Sequence, residues 1–278
     1  LATRLGIARS EGAILIASAA GAGLAAMYNA PLGGAAYAVE LVMVAGMRRR
    51  GALVAVPVCL IATLVSWLHS HGRPTFEVAS PGLSSGTVLG LVLLMPVAAA
   101  VGVAARRLWS WMLAHRVRVL RWLPVAIGTA GLVTGLASLW VPAIVGNGRD
   151  AMEMALGTGL PGASNRAAGA GLVLLVGIVA LKPVLTGLTL AAGATLAIAL
   201  HACGVQASVA VLALAGAGAV LATTQRAPVF GIVFTWELAR ARAWTLVALF
   251  AVVVAVTLLA SPAWRRTVAS QLRTLRSR

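Results

Sequence analysis

Asn-Ala-Pro-Leu-Gly-Gly-Ala-Ala-Tyr-Ala-Val-Glu-Leu, residues 29–41, is the stretch that decides the fold, because a related stretch begins 197 residues later. Residues 226–238 read Arg-Ala-Pro-Val-Phe-Gly-Ile-Val-Phe-Thr-Trp-Glu-Leu. Each copy follows a run of small apolar residues and carries one carboxylate in an apolar setting, at Glu40 in the first copy and at Glu237 in the second. The positions that coincide are Ala30/Ala227, Pro31/Pro228, Gly34/Gly231, Glu40/Glu237 and Leu41/Leu238.

Both copies predict an apolar helix, a break and a second apolar helix. Proline is tolerated in the first turn of a helix, so Pro31 and Pro228 fit as helix starts, and Asn29 is a suitable cap for the first. Two matching interrupted segments indicate an internal repeat of the kind that builds many secondary transporters, and chance similarity in an Ala/Gly-rich chain is the alternative. If the repeat is inverted, the helices that begin at Pro31 and Pro228 run antiparallel.

The composition indicates a polytopic α-helical membrane protein. Of the 278 residues, 60% are hydrophobic and 10% are charged, and the mean hydropathy is +0.97. A soluble domain usually carries about 25% charged residues. Several apolar runs, among them 51–68, 86–105, 123–145 and 168–200, approach or exceed the ~20 residues that span a bilayer.

The formal net charge of +16 comes almost entirely from arginine, with Lys182 as the single lysine. Arginine clusters at 48–50, 106–121 and 265–278 are predicted to face the cytoplasm, because cytoplasmic loops collect positive charge. No basic stretch is interleaved with aromatic residues as in a nucleic-acid groove, so no nucleic-acid partner is predicted. Cys59 and Cys203 provide neither a disulfide framework nor metal-ligand spacing.

Four stretches in the right order give the sequence its resemblance to the CLC family of chloride channels and chloride/proton exchangers. Residues 21–40 resemble a helix near the end of the family's first half, and residues 223–237 resemble its inverted counterpart in the second half. Between them, Gly-Asn-Gly-Arg-Asp at 146–150 and the stretch 181–195 resemble second-half segments. The resemblance implies two inverted repeats per subunit, a homodimer, and one anion path in each subunit.

The sequence also departs from the family pattern. The family's Gly-Ser-Gly-Ile-Pro and Gly-Lys/Arg-Glu-Gly-Pro motifs would lie before Leu1, so the chain is expected to be incomplete at the N-terminus, as a truncated or degenerate form. After Thr195 the chain runs into Leu-Ala-Ile-Ala-Leu-His instead of Gly-Gly-x-x-x-Pro. The pore tyrosine is replaced by Trp264 as the nearest aromatic residue. Exchangers of the family often carry a second glutamate at the position of Leu41, so the resemblance favours channel-like conduction over proton coupling.

These considerations predict a CLC-like, all-α membrane protein with interrupted helices. Residues 1–68 are predicted to hold the last two helices of the first repeat, 69–85 an extracellular-side linker, 86–260 a second repeat shortened after 195, and 261–278 a basic cytoplasmic tail. The predicted function is transport of chloride or another small anion across the plasma (inner) membrane, without a cofactor. A non-conducting dimerisation scaffold derived from such a protein is the alternative.

The candidate ion-pathway residues follow from the resemblance and from helix chemistry. Backbone N–H groups at a helix start bind anions, and the glycine-rich turn at 146–148 is either such a nest or a simple turn. Glu40 and Glu237 are predicted to be structural intramembrane carboxylates that accept hydrogen bonds from nearby backbone amides. The full set of pathway candidates is Gly146, Asn147, Gly148, Gly193, Ala194, Thr195 and Trp264.

A remote alternative is a membrane serine hydrolase. Residues 82–86, Gly-Leu-Ser-Ser-Gly, match the Gly-x-Ser-x-Gly pattern with Ser84 as the nucleophile. The pattern requires a strand-to-helix elbow, but here it precedes an apolar helix, which Ser84 is well suited to cap. No catalytic residue and no metal site are therefore predicted, and the pair His69-x-His71 lacks a third ligand.

Overall fold

A computed structural model describes residues 8–70, 72, 75–76, 84–114, 123–139, 152, 196–197, 200–201, 203–204, 207–239 and 254. Within these residues the protein is helical and contains no strand. In chain order the α-helices with described bounds are α1 (Arg9–Tyr28), α2 (Pro31–Tyr37), α3 (Arg48–Ser70), α4 (Ser85–Ala114), α5 (Leu123–Ser138), α6 (Val209–Gln225) and α7 (Pro228–Ala239). The predicted all-α class is thereby confirmed.

Three helices in the described part of the chain are long and apolar enough to cross a membrane. These spans are Arg9–Tyr28, Ala45–His69 and Ser85–Arg107, and two shorter apolar helices are Val209–Gln225 and Pro228–Ala239. Many large apolar side chains on α3 and α4 are exposed, as expected for surfaces that contact lipid rather than water.

One compact unit comprises Leu1–Ser80 and Ala227–Leu249, and it contains α1, α2, α3 and α7. Its core is built from small side chains on α1, on α2 with the turn after it, and on α3, which lets the helices approach closely. Gly21 and Gly34 mark the closest approach of α1 and α2, because a Cβ added at Gly34 would lie 2.7 Å from the Ala25 Cβ. After Tyr37 the chain makes a π-helical turn, Ala38–Val42, and then a 3₁₀ turn, Ala45–Met47.

The apolar run at 51–68 forms part of α3, which begins three residues earlier and includes the arginines at 48–50. They form the first turn of α3, where all three are exposed. The chain is extended at Met43 and Val44, so the previous helix has already ended when α3 begins. Arg48 Nη2 donates a 3.2 Å hydrogen bond to the Glu40 carbonyl oxygen, and a cation is favourable near such terminal carbonyls.

A second compact unit comprises Pro81–Arg226 and Phe250–Arg278, and it contains α4, α5 and α6. Helices α4 and α6 pack side by side and run parallel. Near their starts, a Cβ added at Gly90 would lie 3.0 Å from the Ala207 Cβ, and near their ends one added at Gly102 would lie 2.7 Å from the Thr223 Cβ. The predicted repeat boundaries, with a linker at 69–85 and a second repeat at 86–260, stay a prediction.

Helix α4 is longer than the apolar run at 86–105. It continues to Ala114, into the arginine cluster at 106–121. Residues 106–114 contain neither glycine nor proline, so nothing in the local sequence ends the helix at the membrane boundary. Helix α5 ends at Ser138, whereas the predicted span ran to 145, and residues 140–150 lie outside the described residues.

Candidate functional site

The two copies of the repeated stretch break their helices in the same way. Helix α1 ends at Asn29 with φ 54° and ψ 41°, and α6 ends at Arg226 with φ 56° and ψ 37°, both left-handed conformations. The N–H of each residue bonds back to the helix it leaves, at Ala25 O and Ala222 O respectively. A left-handed residue at this place is a common helix ending, and a proline then starts the next helix in each copy.

The carboxylate of the second copy caps the helix of the first copy. Glu237, near the end of α7, accepts hydrogen bonds from Leu32 N at 3.1 Å and from Gly33 N at 2.6 Å. These N–H groups belong to the first turn of α2, where no carbonyl of the same helix is available to them. The negative carboxylate also faces the positive end of the α2 dipole.

The carboxylate of the first copy does the same for the second copy. Glu40, in the π-helical turn after α2, accepts hydrogen bonds from Val229 N at 3.4 Å and from Phe230 N at 2.8 Å. Leu32 corresponds to Val229 in the repeat, and Gly33 corresponds to Phe230. We call this pair of contacts the reciprocal caps. Each residue of one cap therefore corresponds in the repeat to a residue of the other cap.

The reciprocal caps fix the relative direction of α2 and α7. The end of α2 contacts the start of α7, and the end of α7 contacts the start of α2, so the two helices run antiparallel. The antiparallel arrangement expected of an inverted repeat is therefore confirmed. The partner amides come from the other copy, about 200 residues away in the chain, and not from neighbours in sequence.

Aromatic rings fill the space where α2 and α7 cross. Phe234 packs edge-on against Tyr28, with centroids 5.3 Å apart, and Phe230 packs in the same manner against Tyr37 at 5.5 Å. Edge-to-face arrangements of this kind are favourable for aromatic pairs. Gly33 lies directly against Phe234, since a Cβ at Gly33 would be 2.9 Å from the Phe234 Cα. The helices can cross here because position 33 has no side chain.

Residues that the sequence interpretation missed surround the break between α1 and α2. Trp67 Nε1 donates to Asn29 Oδ1 at 2.5 Å, and Ser66 Oγ donates to Ala26 O at 2.9 Å. From the stretch predicted to be a polar linker, Thr75 Oγ1 donates to Tyr28 O at 2.5 Å. In the same stretch, Phe76 is buried and its N–H donates to Leu238 O at 2.9 Å. No local periodicity marks these residues, because each acts on a distant segment.

The arrangement of the reciprocal caps restricts what it can do chemically. Backbone N–H groups at a helix start are the groups that bind small anions. Here two such groups of each helix are already occupied by a carboxylate of the protein. Glu40 and Glu237 are both half-buried, and Leu41, next to Glu40, is half-buried as well. At the crossing, a glutamate side chain of the protein therefore occupies each of the two helix starts.

Ser84 adopts the capping position that the sequence predicted for it. Its Oγ accepts a hydrogen bond from Thr87 N at 3.1 Å and lies 2.9 Å from Thr87 Oγ1, at the start of α4. Among the described residues there is no group of three or more His, Cys, Asp or Glu side chains that would hold a metal ion. The pathway candidates Gly146, Asn147, Gly148, Gly193, Ala194, Thr195 and Trp264 all lie outside the described residues.

Interrupted apolar helices, an antiparallel pair with reciprocal caps and several membrane spans define a polytopic α-helical membrane protein with an internal inverted repeat. The model of the voltage gated chloride channel family matches residues 2–260 of the sequence. The chain belongs to this family. No match was found among the curated protein sequences.

Two solved structures resemble the chain in fold. One is the crystal structure of a slow cyanobacterial Cl⁻/H⁺ antiporter, with a TM-score of 0.60, 21% identity, and coverage of 97% of this chain and 68% of the other. The second is a CLC-type fluoride/proton antiporter, with a TM-score of 0.68, 18% identity, and coverage of 90% of this chain and 63% of the other. The chain thus spans about two thirds of the length of these proteins.

Proposed function

We propose that the protein transports chloride or another small anion across a membrane, in a channel-like manner rather than coupled to protons. The match of the voltage gated chloride channel family over residues 2–260 carries this proposal. Leu41 supports the channel-like part, because its side chain cannot carry a proton at the position after Glu40. The two similar structures are described as proton antiporters, so the coupling is the point that requires a direct test.

In this proposal Glu40 and Glu237 are structural and do not contact the transported anion. Each carboxylate occupies the helix-start amides that would otherwise attract an anion, at distances of 2.6 to 3.4 Å. An anion path through a bilayer needs preorganised donors of its own. We therefore assign the path to the sequence-predicted candidates at 146–148 and 193–195 and to Trp264, and not to the reciprocal caps.

Chloride efflux from proteoliposomes tests the transport proposal. Vesicles loaded with potassium chloride are diluted into chloride-free buffer, and valinomycin is added with and without a proton uncoupler, with protein-free vesicles as the control. We expect efflux that starts with valinomycin and is unchanged by the uncoupler. Efflux that moves protons uphill, or that requires the uncoupler, would contradict channel-like conduction. The same protocol with fluoride tests the anion named for one of the similar structures.

A non-conducting membrane scaffold is the second candidate function. It is favoured by one observation, which is that residues 196–201, Leu-Ala-Ile-Ala-Leu-His, stand where the family pattern has Gly-Gly-x-x-x-Pro. In the family the backbone amides of that motif face the anion. Absence of both chloride and fluoride efflux from vesicles that contain correctly assembled protein would support the scaffold. The hydrolase alternative would require Ser84 Oγ to leave its capping position, and labelling by a serine-reactive probe would reveal it.

We further propose that the protein is a homodimer in the plasma (inner) membrane and that α3 contributes to the interface. Helix association in lipid depends on packing shape, and α3 presents a long exposed apolar face that includes Leu60 and Leu64. A Leu60→Cys variant should form crosslinked dimers in native membranes. The background should carry Cys203→Ser, because Cys203 is exposed, whereas Cys59 is buried. A monomer at every protein-to-lipid ratio would contradict the dimer.

A further inference from the structure

Arg226 adopts a backbone conformation that is unfavourable for arginine. Its φ of 56° lies in the left-handed region, where glycine and asparagine are common and long side chains are rare. The equivalent position of the first copy, Asn29, has the residue that this geometry prefers, with φ 54°. An unfavourable backbone conformation that a better residue would relieve is a reason to look for a function of the side chain.

Arg226 lies at the same end of a helix pair as a second arginine, Arg106. Helices α4 and α6 run parallel and touch at Gly102 and Thr223. Arg106 follows Gly102 by one helical turn, and Arg226 follows Thr223 by three residues, so both arginines lie at the same end of this helix pair. Two positive charges at one end of a helix pair repel each other. Arg106 is half-buried and Arg226 is exposed.

No negative side chain in the described part of this unit offsets the two charges. The described residues between 84 and 226 contain no aspartate and no glutamate. Two guanidinium groups at one end of the same helix pair, one of them half-buried, are a good match for one anion with several oxygen atoms, because the planar fork of arginine binds phosphate through paired hydrogen bonds.

The position of the pair relative to the membrane span identifies the source of such an anion. Arg106 is one residue before the end of the apolar span Ser85–Arg107. Trp111, about one turn further along α4, is 59% exposed, and tryptophan is enriched at the headgroup level of membranes. The apolar residues earlier on the same helix, including Val92 and Val97, are exposed as lipid-facing residues would be. The arginine pair therefore lies at the depth of lipid phosphates.

We propose that Arg106 and Arg226 together bind one phosphate group, that of an anionic phospholipid headgroup. The site joins the end of α6 to α4 through the bound phosphate and neutralises the repulsion between the two arginines. This proposal does not depend on whether the protein conducts anions.

The test measures how lipids and phosphate stabilise the 278-residue protein in a neutral detergent. Thermal unfolding is followed while dihexanoyl-phosphatidylglycerol, dihexanoyl-phosphatidylcholine or inorganic phosphate is titrated. The variants are Arg106→Gln and Arg226→Asn, with Arg107→Gln as the matched control, since Arg107 is the exposed neighbour on α4 and carries the same charge. Asparagine is chosen at position 226 because it occupies the same conformation at position 29, so this variant is expected to fold.

We expect phosphatidylglycerol, and not phosphatidylcholine, to raise the unfolding temperature of the unmodified protein. The half-saturating concentration should increase about tenfold in Arg106→Gln and in Arg226→Asn, the factor expected for loss of a charge-assisted hydrogen bond, and less than about twofold in Arg107→Gln. Without lipid, Arg226→Asn should be at least as stable as the unmodified protein.

Three outcomes would overturn the proposal. If the half-saturating concentration increased equally in all three variants, the stabilisation would depend on general surface charge and not on Arg106 and Arg226. Equal stabilisation by the two lipids would exclude recognition of an anionic headgroup. Stabilisation by inorganic phosphate alone, with the same dependence on Arg106 and Arg226, would support the phosphate site but overturn its assignment to a lipid.

Discussion

The break between α1 and α2 and the break between α6 and α7 share one backbone and differ in their side chains. Both have a left-handed residue followed by Ala-Pro, and both end in a glutamate that caps the other copy. In the first break the left-handed residue is Asn29, whose side chain is bound by Trp67. In the second it is Arg226, which lies at the same end of the α4–α6 pair as Arg106. The repeat thus determines the path of the chain, and each copy uses the same position differently.

The helix that follows each break shows a second difference. Gly33 in α2 and Phe230 in α7 are equivalent positions, and both donate their N–H to the opposite carboxylate. Gly33 leaves room for Phe234, while the Phe230 ring packs between Tyr37 and Phe234. An interface between two identical copies would have either a gap or a clash here. The departure from the repeat is what makes the crossing well packed.

The largest expected effect comes from placing a side chain at position 33 of α2, in the first copy of the repeat. Gly33→Ala places a Cβ 2.9 Å from the Phe234 Cα, which is backbone and cannot move without shifting α7. We expect the free energy of unfolding to fall by about 3 kcal/mol, the upper end of the cost of overpacking. Reversible unfolding of the purified protein in mixed micelles measures it.

The matched control for this variant is Gly23→Ala in α1. A Cβ at Gly23 has open space around it, so alanine should stabilise the helix by about 0.5–1 kcal/mol through its higher helix propensity. If the two variants changed stability in the same direction, the close approach of α2 and α7 at Gly33 would be refuted.

The next effect distinguishes the two reciprocal caps. Glu237→Gln removes the charge from a carboxylate that accepts two hydrogen bonds of 3.1 and 2.6 Å, and Glu40→Gln does so for bonds of 3.4 and 2.8 Å. We expect a loss of about 2 kcal/mol for Glu237→Gln and about 1 kcal/mol for Glu40→Gln, within the range for charge-assisted hydrogen bonds and helix-terminus charges.

The control for the caps is Glu11→Gln, because Glu11 is an exposed glutamate in the first turn of α1. Its loss should be less than about 0.5 kcal/mol, as for most surface substitutions.

Transport assays sharpen the comparison. If the caps are structural, both cap variants should retain the anion selectivity of the unmodified protein. Their anion flux should fall only in proportion to the amount of folded protein. A change of selectivity in either variant would place that carboxylate in the anion path.

The repeated stretch made a large part of this architecture predictable. Helix starts at Pro31 and Pro228, the interruption before each and the antiparallel direction all follow from the local chemistry of proline and from the repeat. The same argument could have predicted that Glu40 caps α7 and that Glu237 caps α2, because the end of one helix must lie at the start of its antiparallel partner. The prediction of nearby backbone amides as partners did not specify which helix provides them.

Other features had no signal in the sequence. The π-helical turn Ala38–Val42 has the composition of an ordinary helix, and the contacts of Thr75 and Phe76 join a polar stretch to segments far away in the chain. Helix α3 begins at Arg48, before the apolar run at 51–68, because arginine is a good helix former. Charge indicates the side of the membrane, not the end of a helix.

The smallest expected effect concerns the side chain that distinguishes the first break from the second. Trp67→Phe keeps an aromatic ring on α3 but removes the N–H that binds Asn29 Oδ1. Because the break is also held by the Asn29 N–H bond to Ala25 O, the loss should be about 1 kcal/mol, the net contribution of one hydrogen bond. Stability of Trp67→Phe in mixed micelles measures the effect, and Trp111→Phe, at an exposed tryptophan of α4, serves as the control with an expected change below about 0.5 kcal/mol. If Trp67→Phe were as harmful as Gly33→Ala, the first break would depend mainly on its side-chain partner rather than on the backbone geometry that it shares with the second.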